Sequence, residues 1–188
     1  MKSKLIAVTG GIGSGKSEVI GYLQSLGYAT IDCDALAKEV ACRKQVVEQV
    51  RDLLGVEYVI DGKLNRRAIR NRVFFDDELL KKYNAIFFSE VKKLLDERIA
   101  ELIGKNVIFV EISVFDAFEY PWDGVWLVEA DDEIRIDRAL SRDKTSRETL
   151  QGIMSRQNKC TSFTLRIPNN GTVLDLKKHI DAAVNSIK

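Results

Sequence analysis

The sequence predicts an α/β fold, a five-stranded parallel sheet flanked by helices, and three observations predict it. An apolar run, Leu5-Ile6-Ala7-Val8-Thr9, leads into a glycine-rich turn and then into a stretch with apolar residues at helical spacing. Two further runs, residues 107–112 and 124–129, are almost continuously apolar, which is the composition of strands covered on both faces. Two shorter β-prone stretches, 28–31 and 162–167, complete the five. With 188 residues the chain fits one domain that buries roughly 70% of its unfolded surface, so any further subdomain is a small insertion.

The first turn carries chemistry. Gly10 and Gly15-Lys16-Ser17 fit the pattern G-x-x-x-x-G-K-[ST], in which backbone N–H groups wrap phosphates, the lysine neutralises them and the hydroxyl reaches Mg²⁺. A strand before it and a helix after it, through Leu23 to Gly27, are the context the motif requires, and the helix start adds the positive end of its dipole. Gly11, Ile12, Gly13, Ser14, Gly15, Lys16 and Ser17 are therefore the expected nucleotide-binding residues, and the P-loop nucleoside triphosphate hydrolase fold is expected.

The second strand delivers Asp32-Cys33-Asp34 to its carboxyl end, the edge where open α/β sheets bind ligands. One acid suffices to cap the helical run 35–40, so the second points to a chemical role. From 41 to 103 the pattern is mostly helical and reads as an insertion between strands. Asp61-Gly62 marks a turn, Asn65 can cap a helix over 66–73, and Asp76 or Asp77 can open a long helix that stops before Gly104. Arg66, Arg67, Arg70 and Arg72 lie within two turns, as a solvated face or as an anion-binding patch.

After the fourth strand, Arg138 and Arg142 are four apart and share one helix face. Thr145 and Glu148 predict a capping box for a helix through Gln157, and two arginines on one face before a helical hairpin make residues 138–160 either a lid that closes over phosphates or an Arg-rich surface helix paired with Asp137 and Asp143. A turn at Pro168-Asn169-Asn170-Gly171 and a closing helix with Asp175 in its first turn follow. The core is thus residues 1–40, 104–137 and 161–188.

Whole-chain numbers exclude other classes. With 29 basic against 28 acidic residues the net charge is +1, which gives no broad footprint for nucleic acid or an anionic membrane. No apolar run approaches the roughly 20 residues of a membrane span. Cys33, Cys42 and Cys160 form no C-x-x-C, and the single histidine, His179, stands apart from them, so neither a disulfide framework nor a zinc site is readable. The start of the chain lacks the features of a secretory signal, and a cytoplasmic, reducing location is expected. Asn158-Lys159-Cys160-Thr161 lacks the acid of a guanine-reading N-K-x-D motif.

Several separated stretches together resemble the dephospho-coenzyme A kinase family along nearly the whole chain. They are residues 9–17, residues 31–37, residues 61–69 with Val73-Phe74, Arg138 with Arg142-Asp143, Ser146, Gln157, and Ile167 with Asn169-Asn170-Gly171. The resemblance implies a helical acceptor-binding region at 41–103 and transfer of phosphate from ATP, with Mg²⁺, to the ribose 3′-hydroxyl of dephospho-coenzyme A. It implies that Asp34 orients or accepts the hydroxyl proton, that Asp32 and Ser17 lie near the metal, and that Lys16 holds the β- and γ-phosphates. Arg142 and Arg138 would stabilise the transferring group, and Asp32, Asp34, Arg66, Arg67, Arg70 and Phe88 would contact the acceptor. The chain departs from the family at Phe88-Ser89 for a His-Pro pair, at Ile112-Ser113 where a proline-containing segment follows the third strand, and at Phe163-Thr164 for an Ala-Asp pair expected near the nucleotide base. A P-loop kinase of another small molecule or nucleotide would share the phosphate-site residues and read its acceptor through 41–103.

Overall fold

Glycine and aspartate turns, β-branched runs and capped helices assemble as expected in the computed structural model, which describes residues 3–73, 76–115, 119–142, 145–157 and 160–187. Phe74, Asp143, Asn158 and Lys159, all part of the sequence patterns considered, lie outside the described residues. With strands numbered in chain order, the main sheet runs β2 (Ala29–Asp32), β5 (Val107–Ile112), β1 (Lys4–Thr9), β6 (Gly124–Glu129) and β7 (Leu165–Pro168). Every adjacent pair is parallel. The first strand is central, so the chain leaves β1 where the strand order reverses, and the loop that follows faces the crevice at the carboxyl edge.

Packing divides the chain into two units, residues 1–32 with 102–188 and residues 33–101. In the first, one face of the sheet, with Ile6, Val8, Phe109, Trp126 and Val128, packs against Val19 and Leu23 of α1 (Lys16–Ser25) and Leu176 and Ile180 of α8 (Val173–Ile187). The alternate side chains Ala7, Ile108, Val110 and Leu127 are buried as well, which explains why these strands read as unbroken apolar runs. Phe109 and Trp126 stack at 4.9 Å across β1 and fill the centre.

The second unit holds α2 (Cys33–Val40), α3 (Lys44–Leu54), a short ribbon of β3 (Val59–Ile60) and β4 (Lys63–Leu64), α4 (Arg66–Val73) and the 25-residue α5 (Asp77–Glu101). The ribbon is antiparallel and turns at Asp61 and Gly62, whose φ values of 50° and 72° are those of a tight hairpin turn. Asn65 Oδ1 accepts the Ala68 N–H at 3.2 Å and Asp76 Oδ1 accepts the Leu79 N–H at 2.9 Å, so the predicted caps open α4 and α5.

Three local expectations shift. Helix α2 begins at Cys33, which puts Asp34 inside its first turn instead of in a cap. The two helices after β6 are α6 (Asp132–Arg142) and α7 (Arg147–Arg156), and α7 is capped by Ser146, not Thr145. Ser146 is extended and its hydroxyl accepts the Thr149 N–H at 3.2 Å; Glu148, held by its own backbone N–H and by Ser146, keeps its carboxyl below the ordinary range. Strand β7 starts at Leu165 instead of Ser162 because Thr164 brackets the end of its neighbour. The Thr164 N–H donates to the Val125 carbonyl at 2.9 Å, and its hydroxyl accepts the Val125 N–H at 2.9 Å.

Candidate functional site

The loop between β1 and α1 takes a shape that only glycine permits at two points. Gly15 has φ 96° and Gly13 φ 73°; a Cβ at Gly15 would run into the Asn169 amide, and one at Gly13 into the Arg135 carbonyl. Gly15 is the residue before α1, and no side chain caps that helix. The Glu18 and Val19 N–H groups donate to the Gly15 carbonyl at 3.1 and 3.2 Å, and the positive end of the helix points into the loop. Helix α3 likewise lacks a side-chain cap, whereas α4, α5, α7 and α8 each carry one.

Lys16 follows at once. It is buried, and its ammonium donates to the Gly10 carbonyl at 2.9 Å and to the Gly11 carbonyl at 3.3 Å, which coils the loop around its own cation. One buried positive charge inside a ring of peptide groups is a cradle for an anion. Ser17, on the first turn of α1, donates its hydroxyl to Glu111 Oε1 at 3.0 Å. Glu111 stands opposite Asp32 in the register of β5 and β2, so two carboxylates share the sheet edge beside that hydroxyl. Three oxygen donors, two of them carboxylates, form a hard ligand set suited to Mg²⁺, which takes one or two carboxylates and fills its remaining positions with water and phosphate. Among the described residues no cluster of three or more His, Cys, Asp or Glu is present.

A cavity of 780 Å³ opens next to the loop, lined by Thr9, Gly10, Ser14, Ser113, Arg135 and Asn170 among others. Its walls are tied together by polar side chains. Asn169, buried at the end of β7, donates its amide to the Ser14 carbonyl at 2.8 Å and its own N–H to the Glu129 carbonyl at 2.7 Å. Asn170 holds Asp131, the residue before α6, by two bonds at 2.8 and 2.9 Å. Ser14 Oγ is buried with no hydrogen-bond partner among the described residues. His179 is placed by the Pro168 carbonyl, 2.9 Å from its Nδ1.

The two predicted arginines of α6 are placed differently. Arg138 donates to the Asn169 carbonyl at 3.0 Å and reaches its Oδ1 at 3.4 Å, so it braces the residue that braces the loop. Arg142 is exposed at the last position of the helix. Three further residues, to which the sequence reading assigned no role, belong to the site. Arg135 donates its Nε to the Ile12 carbonyl at 2.9 Å, Gln157 Oε1 accepts the Ile12 N–H at 3.0 Å, and Glu111 meets Ser17 as above.

In the helical unit Asp34 is exposed beside the buried Cys33. Arg66, Arg67 and Arg70 are exposed on α4, and Arg72 pairs with Asp76 at 3.5 Å. Helix α4 packs against α5. Burial raises the Tyr83 phenol above its ordinary pKa and the Arg66 charge pulls it back down. Tyr83 stacks on Phe87 at 4.9 Å, and Phe88 is half-buried next to them in sequence. Along this first half of α5 the apolar side chains are only partly covered, whereas Val91, Leu94 and Leu95 are buried.

Known proteins match this chain over its length. The dephospho-CoA kinase family profile matches residues 4–175. A dephospho-CoA kinase of Thermus thermophilus is 36% identical over 188 residues, which covers 96% of this chain and 90% of the relative. One from Staphylococcus aureus is 31% identical over 187 residues, 95% of this chain and 90% of its own length. Among solved structures, TT1252 from Thermus thermophilus superposes with a TM-score of 0.88 at 33% identity and covers both chains completely.

Proposed function

Because the chain belongs to the dephospho-CoA kinase family, we infer that it transfers the γ-phosphoryl group of ATP to dephospho-CoA, the last step of coenzyme A biosynthesis, and we propose the following roles for its residues. The observation that carries the assignment is the uncapped α1 start with Lys16 buried in the ring of loop carbonyls, beside carboxylates at the ends of β2 and β5. Lys16 leaves its loop carbonyls for the β- and γ-phosphates, and N–H groups of the segment from Gly11 through Ser17 supply the rest of the cradle. Two of those N–H groups are committed elsewhere, that of Ile12 to Gln157 and that of Ser14 to the Gly11 carbonyl at 3.1 Å.

Asp34 takes the proton of the ribose 3′-hydroxyl. The freed oxygen attacks the γ-phosphorus in line, the bond from that phosphorus to the β,γ-bridging oxygen breaks, and ADP leaves as the anion. Little covalent chemistry falls to the protein, so positioning and charge do most of the work. Arg142 supplies positive charge to the transferring group, and Arg138 acts through Asn169. Ser17, Asp32 and Glu111 are the residues that would hold Mg²⁺, which when bound neutralises charge on the β- and γ-oxygens. Arg66, Arg67 and Arg70 suit the acceptor diphosphate and Phe88 its organic portion. The reaction is assigned to the cytoplasm; no described helix is long and apolar enough to cross a membrane.

The test is ADP release from Mg-ATP with dephospho-CoA, in parallel with AMP, other nucleotides, nucleosides and no acceptor. Release confined to dephospho-CoA is expected. ATP binding without release in that well, together with release in another, would overturn the acceptor and keep the donor site.

A further inference from the structure

We propose that Gln157 is a positioning residue of the phosphate loop, acting through the peptide of Ile12. The inference rests on the reading of the loop as the ATP site. Both polar groups of Ile12 are held from outside the loop: its N–H by Gln157 Oε1 at 3.0 Å, directly after α7, and its carbonyl by Arg135 Nε at 2.9 Å, on the first turns of α6. The Ile12 side chain packs against a small apolar cluster formed by Ile136, Ala139 and Leu150, with Leu140 and Met154 around it. Residue 12 is therefore a tenon that the α6–α7 pair grips by donor, acceptor and side chain together.

A glycine-rich loop has many backbone conformations to lose, and ordering it on ligand arrival costs affinity. The grip on Ile12 removes that cost in advance. Arg135 is itself fixed by Asp132 at 2.9 Å, so among the described residues the Gln157 bond is the contact to the Ile12 peptide made from the far end of the lid pair. Movement of α7 thus pulls directly on the loop that holds the phosphates, and Gln157 couples lid position to donor binding.

Gln157→Leu keeps the approximate size and removes the acceptor, while Gln157→Glu keeps an acceptor oxygen. Amide hydrogen exchange at Ile12 and ATP binding by calorimetry are measured on the full chain, with kcat and both KM values for the reaction. Gln157→Leu is expected to speed Ile12 exchange, to weaken ATP about tenfold, as for one lost hydrogen bond, and to leave kcat at saturating ATP and the acceptor KM within about twofold. Gln157→Glu is expected to keep Ile12 exchange slow whatever its charge does to ATP. Unchanged Ile12 exchange and ATP affinity in Gln157→Leu overturn the proposal, as does fast exchange in Gln157→Glu. An acceptor KM that rises as much as the ATP KM overturns it too, because that is the pattern of general damage. Failure of the unaltered chain to bind ATP would refute the donor-site reading instead.

Discussion

Asn169→Ala tests how the phosphate loop is supported, and its cost can be worked from the structure. The side-chain amide makes one strong bond, to the Ser14 carbonyl at 2.8 Å, and one long contact from Arg138 at 3.4 Å. Truncation leaves the Ser14 carbonyl buried without its donor, worth about 1–3 kcal/mol, while Arg138 keeps its 3.0 Å bond to the backbone carbonyl of residue 169. A central value of about 2 kcal/mol corresponds to a fall in Tm of roughly 4–8 °C for a domain of this size. The Ser14 peptide is also the one that feeds Gly15 into α1, so its loosening should weaken ATP by about tenfold, the equivalent of about 1.4 kcal/mol. Asn169→Asp is the sharper variant: it preserves shape and the Arg138 contact, but sets two acceptors against each other where the bond was and adds negative charge beside the phosphates. Thermal melts and calorimetric ATP titrations of both variants check this. An Asn169→Ala protein whose Tm and ATP affinity are both indistinguishable from the parent's would refute the reasoning, as would an Asp variant that binds ATP better than the Ala variant.

Asp34→Asn is expected to bind ATP normally and to lose at least about 10²-fold in turnover, measured as ADP release at saturating substrates; the loss is that of a positioned base. Glu111→Gln should raise the Mg²⁺ concentration needed for half-maximal rate about tenfold or more, as expected on losing one of the carboxylates that would hold the metal, and a metal titration reads it directly. Ser14→Ala removes a buried hydroxyl with no partner among the described residues, so Tm should hold or rise slightly and ATP affinity should stay within about twofold, because the backbone of Ser14 and not its hydroxyl serves the loop.

Local chemistry was legible in the sequence, and long-range chemistry was not. The phosphate loop, the Asn65 and Asp76 caps and the Asp61-Gly62 turn are each determined within a few residues, and each stands where the residue types require. Thr172 and Asp175 belong with them: the Thr172 hydroxyl accepts the Asp175 N–H at 3.2 Å while Asp175 Oδ2 accepts the Thr172 N–H at 3.1 Å. The partners of Ile12 and Ser14 lie 123, 145 and 155 residues away, and no periodicity links such positions. The strands β3 and β4 have two residues each and cannot show alternation. Glu111 was hidden differently, inside an apolar run whose outer end is the ligand edge; the signal was an acid at the carboxyl end of a strand, the same that singled out Asp32.

The three departures from the family pattern are not equivalent once they are located. Phe163-Thr164 was expected near the nucleotide base, yet Thr164 bonds Val125 at the amino end of β6 and its hydroxyl lies 3.2 Å from where a Gly124 Cβ would be. From there the strand runs four residues to Pro168, roughly 13 Å at the usual rise, before it reaches the ligand edge. Thr164 opens a strand pairing, in which its hydroxyl accepts the Val125 N–H as a carboxylate oxygen could. Ile112-Ser113 is different: Ile112 pairs with Thr9 at the end of β1, and Ser113 lines the cavity beside the phosphate loop. Without the proline's fixed φ, the segment that follows β5 has more backbone freedom at the cavity wall. Phe88-Ser89 lies in the partly covered half of α5, next to the Tyr83–Phe87 pair and the arginines of α4, where an aromatic ring in place of an imidazole trades a polar contact for apolar area. Of the three, only Ile112-Ser113 lies beside the phosphate loop. If residues 41–103 read the acceptor as proposed, Phe88→His should change the acceptor KM more than Ser113→Pro does, and a comparison of acceptor KM in the two variants tests this.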